Sequence, residues 1–358
     1  MATVTLPVAA VDVGYFSTKY TSGRAEHKQA SSIKAGSIPS ICPRVAGEAA
    51  ATAGMSALSG VVVTVNNIPH FVGPDASLRS SGREARAVLD DYSRSDAYKA
   101  LFLGALAYIC RDALPPDSPV TTVEIKRLVV GLPLNTLLAQ TDALREMVEG
   151  KHTVPPLLYG KAPLTVVIRS CTVVAQPQGA MISYGATSGN AQALFKQNML
   201  VLDIGGGTFD WYLSHGKKAL IERCGAYPKG MLECAFAVCD RIDKSLRDDP
   251  IIVSRVDEAL RENADTVMIS GEQVDISAHR GTVDAILREC LSRMLDSVKS
   301  LKSVDLILFS GGGGQRLLEV MGAMHPSRVT SMKLVQDPVF SNVRGFHLLG
   351  ELLNHGQQ

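Results

Sequence analysis

Residues 200–210 read Leu-Val-Leu-Asp-Ile-Gly-Gly-Gly-Thr-Phe-Asp, and this stretch limits what the rest of the chain can fold into. An apolar, β-type run carries Asp203 to its end. Three glycines then allow a tight reversal before Thr208-Phe209-Asp210-Trp211-Tyr212 resumes in period-two alternation. The spacing predicts a strand, a turn and a second strand. Consecutive glycines leave backbone N–H groups uncovered and close enough together to wrap an anion, and an aspartate beside them can hold a hydrated divalent cation through water. The stretch suits a triphosphate with magnesium; the alternative is a glycine-rich hairpin over a buried aspartate.

The pattern occurs twice. Val8-Ala9-Ala10-Val11-Asp12-Val13-Gly14, followed by Tyr15-Phe16-Ser17-Thr18-Lys19, repeats the apolar run, the Asp-x-Gly and the second strand. The chain therefore reads as an internal duplication, and 358 residues leave room for two such halves. A third glycine turn, Ser310-Gly311-Gly312-Gly313-Gly314, follows the apolar run 304–309 and precedes a helix-like segment from Gln315.

Taken in order, Asp12-x-Gly14 with Lys19, Asp203-x-Gly205-Gly206-Gly207-Thr208 and Ser310-Gly311-Gly312-Gly313 resemble three motifs of the actin, Hsp70 and sugar-kinase ATPase superfamily. Those are its first phosphate, second phosphate and adenosine motifs. Within it, Asp337-Pro338-Val339-Phe340-Ser341-Asn342-Val343-Arg344-Gly345-Phe346 and the hairpin segment 267–276 resemble plasmid-segregation actins of the ParM or StbA type. The resemblance implies an α/β, duplicated actin-like (ribonuclease H-like) fold with two domains around a nucleotide cleft, each with a small inserted subdomain. The expected division is residues 1–185, with a subdomain at 30–95 and completion by a C-terminal helix over 338–358, and residues 186–337, with a subdomain at 248–277.

The same resemblance assigns roles. ATP or ADP with Mg²⁺ is the implied cofactor, with Asp12 and Asp203 holding waters of the metal's shell. Gly14, Ser17, Thr18, Gly205, Gly206, Gly207 and Thr208 are the implied phosphate contacts, Lys19 reaches the outer phosphates, and Gly311, Gly312 and Gly313 border the nucleoside. Gln176 directly precedes Pro177 at the start of the connecting helix, where the family carries a residue facing the terminal phosphate; Gln178 is the alternative. A glutamine cannot act as a general base at neutral pH, but its amide can orient a water for in-line attack. Lys229, Glu233 and Asp240 compete as nucleoside contacts. The implied output is nucleotide-dependent self-assembly into filaments, linked to plasmid DNA by a DNA-bound adaptor. A kinase or non-polymerising ATPase of the same superfamily, or a scaffold that binds without hydrolysing, is the alternative. A chaperone ATPase is disfavoured because too little chain follows Gly314 for a substrate domain.

Lys plus Arg number 36 against 35 Asp plus Glu, a formal charge of +1, so no global field draws the chain to nucleic acid or to anionic lipid. The opening Met1-Ala2-Thr3-Val4-Thr5-Leu6-Pro7 lacks the pattern of a secretory signal, no run is long enough to span a bilayer, and a cytoplasmic location is expected. The 7 cysteines are scattered without a CxxC, and Cys234 and Cys239 fall among apolar residues, which predicts core packing rather than a metal site. Periodicity predicts helices over 98–109, 136–148, 229–246, 283–298, 316–324 and 340–353, and a short surface helix over 256–263. Residues 30–60, rich in Ser, Ala and Gly, read as loops and short edge strands, and 77–96 as a charged surface.

Overall fold

The computed structural model describes residues 2–25, 32–45, 58–80, 91–115, 117–155, 162–189, 194 and 196–356. Its strands are β1 (Ala2–Val13), β2 (Ser17–Arg24), β3 (Ile33–Pro39), β4 (Val61–Val65), β5 (Ile68–Val72), β6 (Val120–Leu132), β7 (Gly150–Val154), β8 (Leu164–Ile168), β9 (Cys171–Ala175), β10 (Asn198–Ile204), β11 (Phe209–His215), β12 (Lys218–Ala219), β13 (Gly225–Tyr227), β14 (Thr266–Ile269), β15 (Glu272–Asp275), β16 (Leu306–Ser310) and β17 (Met332–Leu334). Its α-helices are α1 (Asp96–Ala113), α2 (Leu134–Val148), α3 (Gln176–Thr187), α4 (Met231–Ile242), α5 (Pro250–Arg261), α6 (Arg280–Val298), α7 (Gly314–Met324) and α8 (Ser341–His355). The chain separates into two compact units: Met1–Leu132, Thr136–Ala175 and Val343–Gln358 form the first, and Pro133–Asn135 with Gln176–Asn342 the second. The sequence expectation set these divisions near 185 and 337. They fall at 175 and 342 because α3 packs on β10 and β11 from its first turn, and the first residues of α8 bond to the second unit.

The sheet of the first unit runs β3-β2-β1-β6-β8-β7, with β9 also pairing to β6. β1 is antiparallel to β2 and parallel to β6, so its apolar half, Val8 to Val13, is bonded on both sides and fully buried, as strands inside α/β sheets are. α1 covers it: Ser95 caps the helix by accepting from the Tyr98 amide, and although the spacing of Tyr98, Leu101, Phe102, Ala105 and Ile109 predicts one buried face, every residue from Ala100 to Cys110 is buried, so the helix is enclosed all round. β4 and β5 form a separate hairpin about Asn66 and Asn67, both at positive φ, the geometry of a tight two-residue turn. Within the stretch 30–60, β3 joins the main sheet along the length of β2 instead of lying in a separate subdomain; residues 46–57 and 81–90 lie outside the described residues.

A buried polar network ties the end of the chain to this sheet. The Thr21 hydroxyl accepts from the Ala10 amide (2.9 Å) and meets His347 Nδ1 at 2.8 Å, while His347 Nε2 lies 3.5 Å from Glu351. Glu351 in turn accepts from Arg24 Nε and Nη2, both at 2.5 Å. Burial raises the Glu351 carboxyl, but the hydrogen bonds from Arg24 and then His347 outweigh it and bring it down to about 2. A carboxyl depressed in the folded state adds stability above its unfolded value, roughly 4.3, and that stability is lost as pH falls through the folded value. Glu351→Gln is therefore expected to cost about 1 to 2 kcal/mol at neutral pH, the scale of a charge-assisted hydrogen bond at a partly exposed pair. In urea unfolding, the gap between variant and wild type narrows as pH drops from roughly 4 toward 2; a gap independent of pH would show that the ion pair does not carry it.

The second unit has the sheet β12-β11-β10-β16-β17, with β13 on β11. β10 is again the central strand, antiparallel to β11 and parallel to β16, so the two units repeat one pattern around β1 and β10. α6 buries Val283, Leu287, Cys290, Leu291, Met294 and Val298, as its periodicity predicts. α5 is longer than expected, because Asp249 caps it from Ile251 and Ile252 with Pro250 in the first turn, and its buried Val253, Val256, Asp257 and Ala259 make it a packed helix and not a surface one. β14 and β15 form a hairpin with Ser270 and Gly271 at positive φ. No described helix is long and apolar enough to cross a membrane.

Candidate functional site

In the first unit, β1 delivers Asp12 to the end of a buried strand, directly opposite Lys19 on β2, and Asp12 is 2 % exposed. Lys19 Nζ leans back over the turn, 3.5 Å from the Ser17 carbonyl oxygen. Gly14 is the residue that permits this approach: a Cβ there would lie 3.0 Å from the Ser17 oxygen and 3.6 Å from Lys19 Nζ. The far side of the turn is braced by a residue outside the motif. Ser40 donates its hydroxyl to the Gly14 carbonyl (2.5 Å) and its amide to the Phe16 carbonyl (2.9 Å). Thr18, fully buried, spends its hydroxyl on Ser40 at 3.0 Å, so its side chain supports the turn from within the sheet. Tyr15, inside the turn, stacks on Tyr92 at 4.7 Å, and Tyr92 meets Tyr98 edge-on at 5.6 Å. Burial, with the Asp12 charge adding to it, pushes the Tyr98 hydroxyl well up, so it stays a neutral phenol.

The second unit builds the matching turn more tightly. Asp203, 6 % exposed, ends β10, and the three glycines close back with Gly205 N–H donating to the Thr208 carbonyl at 2.9 Å. The first two amides of α4 then capture the turn's carbonyls: Met231 donates to Gly205 at 2.9 Å and Leu232 to Gly206 at 2.8 Å. With those oxygens drawn inward, the amides of Gly206 and Gly207 make no hydrogen bond among the described residues. Such a pair of donors is an anion-binding concavity. Gly230 is required for the contact, since a Cβ there would lie 2.5 Å from the carbonyl oxygens of both Gly205 and Gly206. This also explains why the helix expected from residue 229 begins at Met231.

The third glycine turn packs on the second. Gly313 donates to the Ile204 carbonyl (3.3 Å) and Gly311 to the Pro338 carbonyl (3.1 Å). Gly311 has φ +82, and its absent side chain leaves space that Asp203 Oδ1 occupies, 2.6 Å from where a Cβ would be. Asp203, Gly205, Gly206, Gly207, Thr208, Gly311, Gly312 and Gly313 are thus one constellation within the second unit, as Asp12, Gly14, Ser17 and Lys19 are within the first. A shallow pocket beside Gly312 and Gly313 is framed by Arg261, Asn263 and Arg316. Arg261 is held by the buried Asp257 at 2.7 Å and Arg316 by Asp284 at 2.9 Å. Of the nucleoside contacts weighed from sequence, Lys229 is paired with Glu289 at 2.9 Å and Asp240 with Arg247 at 3.0 Å, while Glu233 lies in the first turn of α4.

Gln176 is the first residue of α3, directly after β9, and 8 % exposed. Gln178 donates its amide to the Tyr212 hydroxyl at 3.1 Å, a contact between α3 and β11. Asp210, Ser40 and Asn342 join the sites without having been singled out in the sequence. Asp210 stands opposite Asp203 in the ladder, on the same face of the sheet, and accepts from the Leu134 amide at 3.2 Å. Strand alternation across the three-glycine turn could have found it. Ser40 comes from a distant chain position and leaves no local signal; Asn342 lies in the 337–346 segment that carries the resemblance, but nothing there ties it to Asp203. Among the described residues, no three His, Cys, Asp or Glu side chains gather as a metal cluster.

Two repeats of strand, glycine turn and strand, each with an aspartate at the first strand's end, give the chain an actin-like fold. Residues 10–179 match the family model for the N terminal domain of actin like proteins. Solved structures show the fold across the whole chain. The actin-like protein Alp7A superposes with a TM-score of 0.74 at 16% identity, covering 100% of this chain and 98% of its own. A ParM from Clostridium botulinum, solved as a 15-stranded filament, gives 0.71 at 20% identity, with 96% and 99% covered. An archaeal actin homologue in complex with ADP gives 0.66 at 19% identity, with 96% and 99% covered. No curated protein sequence matches the chain.

Proposed function

We propose that this protein binds ATP with Mg²⁺, hydrolyses it to ADP and phosphate, and couples the nucleotide state to head-to-tail assembly into filaments that segregate plasmid DNA through a DNA-bound adaptor. The observation that carries the reading is the Asp203 turn, where two outward amides stand beside a buried carboxylate with the turn's carbonyls captured by α4. That arrangement fits a magnesium-bound phosphate, since the amides address phosphate oxygens and the carboxylate addresses the metal's water shell. Magnesium, when bound, neutralises phosphate charge and fixes its orientation. The residues of the chain do the rest. Gly14, Ser17, Gly206, Gly207 and Thr208 bind the phosphates, Lys19 adds a point charge to the outer ones, and Gln176 orients the attacking water. Gly311, Gly312 and Gly313 border the nucleoside, with Arg261 and Arg316 beside Gly312. Assembly is supported by the filament form of the Clostridium botulinum ParM, and nucleotide binding by the ADP complex of the archaeal homologue. Heterologous, non-closing contacts between identical subunits generate filaments.

Gln176→Ala is expected to slow turnover by roughly a hundredfold while changing ATP affinity by less than about threefold, because a water-orienting group acts chiefly in the transition state. Single-turnover kinetics with a parallel binding titration separate the two, and unaltered turnover would remove Gln176 from the mechanism. Light scattering and pelleting with ATP, ADP and a nonhydrolysable analogue test assembly. ATP promotes it and hydrolysis loosens it; a protein that hydrolyses ATP yet stays monomeric with all three overturns the filament reading.

A further inference from the structure

Asp203 is not held by its own hairpin alone. Asn342, the second residue of α8 and 7 % exposed, donates from Nδ2 to Asp203 Oδ2 at 2.6 Å. The amide's orientation follows from chemistry, because a carboxylate only accepts and the oxygen of Asn342 would repel it. Asn342 Oδ1 is therefore turned away from the carboxylate, and it is a buried acceptor with no hydrogen-bond partner among the described residues. Buried amide oxygens are almost always paired, so an unpaired one beside a functional carboxylate marks a place where a donor belongs. The first turn of α8 is itself fixed. Ser341 Oγ meets Ser310 Oγ at 2.8 Å and the Pro338 carbonyl at 3.0 Å, which sets Asn342 with little freedom to turn. The other carboxylate oxygen of Asp203 occupies the space left by Gly311.

We infer that Asn342 is a positioning residue for the metal-bearing nucleotide: it orients the Asp203 carboxylate through Nδ2 and accepts from a water of the metal's shell through Oδ1. The inference rests on the Mg-nucleotide reading above. It asks more of the site than that reading does, since the metal's second contact comes from a helix over a hundred residues away from the glycine turn. A partner that orients a ligand group commonly controls metal affinity by 10- to 100-fold while leaving the metal-free ligand untouched. Loss of Asn342 takes away the hydrogen bond that orients the second carboxylate oxygen of Asp203.

The test is calorimetric titration of the full chain with ADP, once in Mg²⁺ and once in EDTA, reading the ratio of the two affinities. In the wild type Mg²⁺ strengthens binding. Asn342→Ala is expected to lose roughly tenfold or more of that enhancement while its affinity in EDTA is unchanged. Asn342→Leu, close in shape and without hydrogen-bonding atoms, is expected to do the same, so the result does not depend on a cavity in the core. Gly281→Ala, whose added methyl meets nothing within 4 Å, keeps the enhancement. If Asn342→Ala and Asn342→Leu keep the wild-type ratio, or lose affinity equally in Mg²⁺ and EDTA, Asn342 is only a structural tether and the inference is wrong. A wild type that binds no ADP under either condition overturns the nucleotide reading itself, and the inference with it.

Discussion

Asp203→Ala is expected to reduce ATP turnover by roughly a hundredfold or more, and Asp12→Ala to do the same, with both proteins still folded. Asp203 ends the central strand of one sheet and Asp12 that of the other, each buried beside a glycine turn. Removing Asp203 takes away the group proposed to face a metal's water shell and leaves Asn342 Nδ2 without its acceptor, yet it also removes one of two carboxyl side chains that stand opposite each other in the ladder. The fold therefore loses little while the site loses its charge. Thermal melts with steady-state ATPase assays and Mg-ATP titrations distinguish these outcomes. Wild-type turnover and affinity in either variant would show that the two turns do not serve one magnesium nucleotide.

The second large effect concerns backbone. Gly311→Ala is expected to destabilise the protein by about 2 to 4 kcal/mol, combining a left-handed backbone penalty with overpacking, and to abolish measurable nucleotide binding. Gly311 sits at φ +82, and the added methyl would meet Asp203 Oδ1 at 2.6 Å and press on the Ile204 carbonyl. One methyl would thus displace the aspartate and separate the two glycine turns of the second unit. Gly281→Ala is the control: it lies in the first turn of α6, and its Cβ would meet nothing within 4 Å, so a neutral or slightly stabilising change is expected. Urea midpoints for the two variants decide the matter. A Gly311→Ala protein as stable as Gly281→Ala would mean that the turn relaxes, and that the close packing against Asp203 is not required.

Sequence periodicity was a good guide wherever one element's own residues settle its state. The alternation around Asp12 and Asp203, the glycines between paired strands and the buried stripe of α6 are local signals, and the observed β1–β2 hairpin, β10–β11 hairpin and helix match them. It says less where neighbours decide. Ile33-Lys34-Ala35-Gly36-Ser37-Ile38-Pro39 has weak strand propensity; it is an edge strand, as read, but which sheet it joins is set by the free edge of β2, along which it pairs over its whole length. The helix after Gly230 is shorter at both ends than the periodicity predicts, because its start is set by contact with Gly205 and Gly206, and its end by Asp243, which accepts from the Ser245 amide and turns the chain into a 3₁₀ turn.

The site divides along the same line. By itself the sequence determined which atoms can do chemistry: two aspartates at strand ends, glycines that bare backbone amides, and a lysine two residues into a returning strand, all set by covalent order and the two-residue period of a strand. Only the tertiary structure decided how those atoms are held. Ser40 behind Gly14, the α4 amides on the Gly205 and Gly206 carbonyls, and Asn342 on Asp203 come from residues far apart in the chain. Hydrogen bonds of that kind depend on distances of about 3 Å in space, and position along the chain carries no information about them until the sheets and helices have packed.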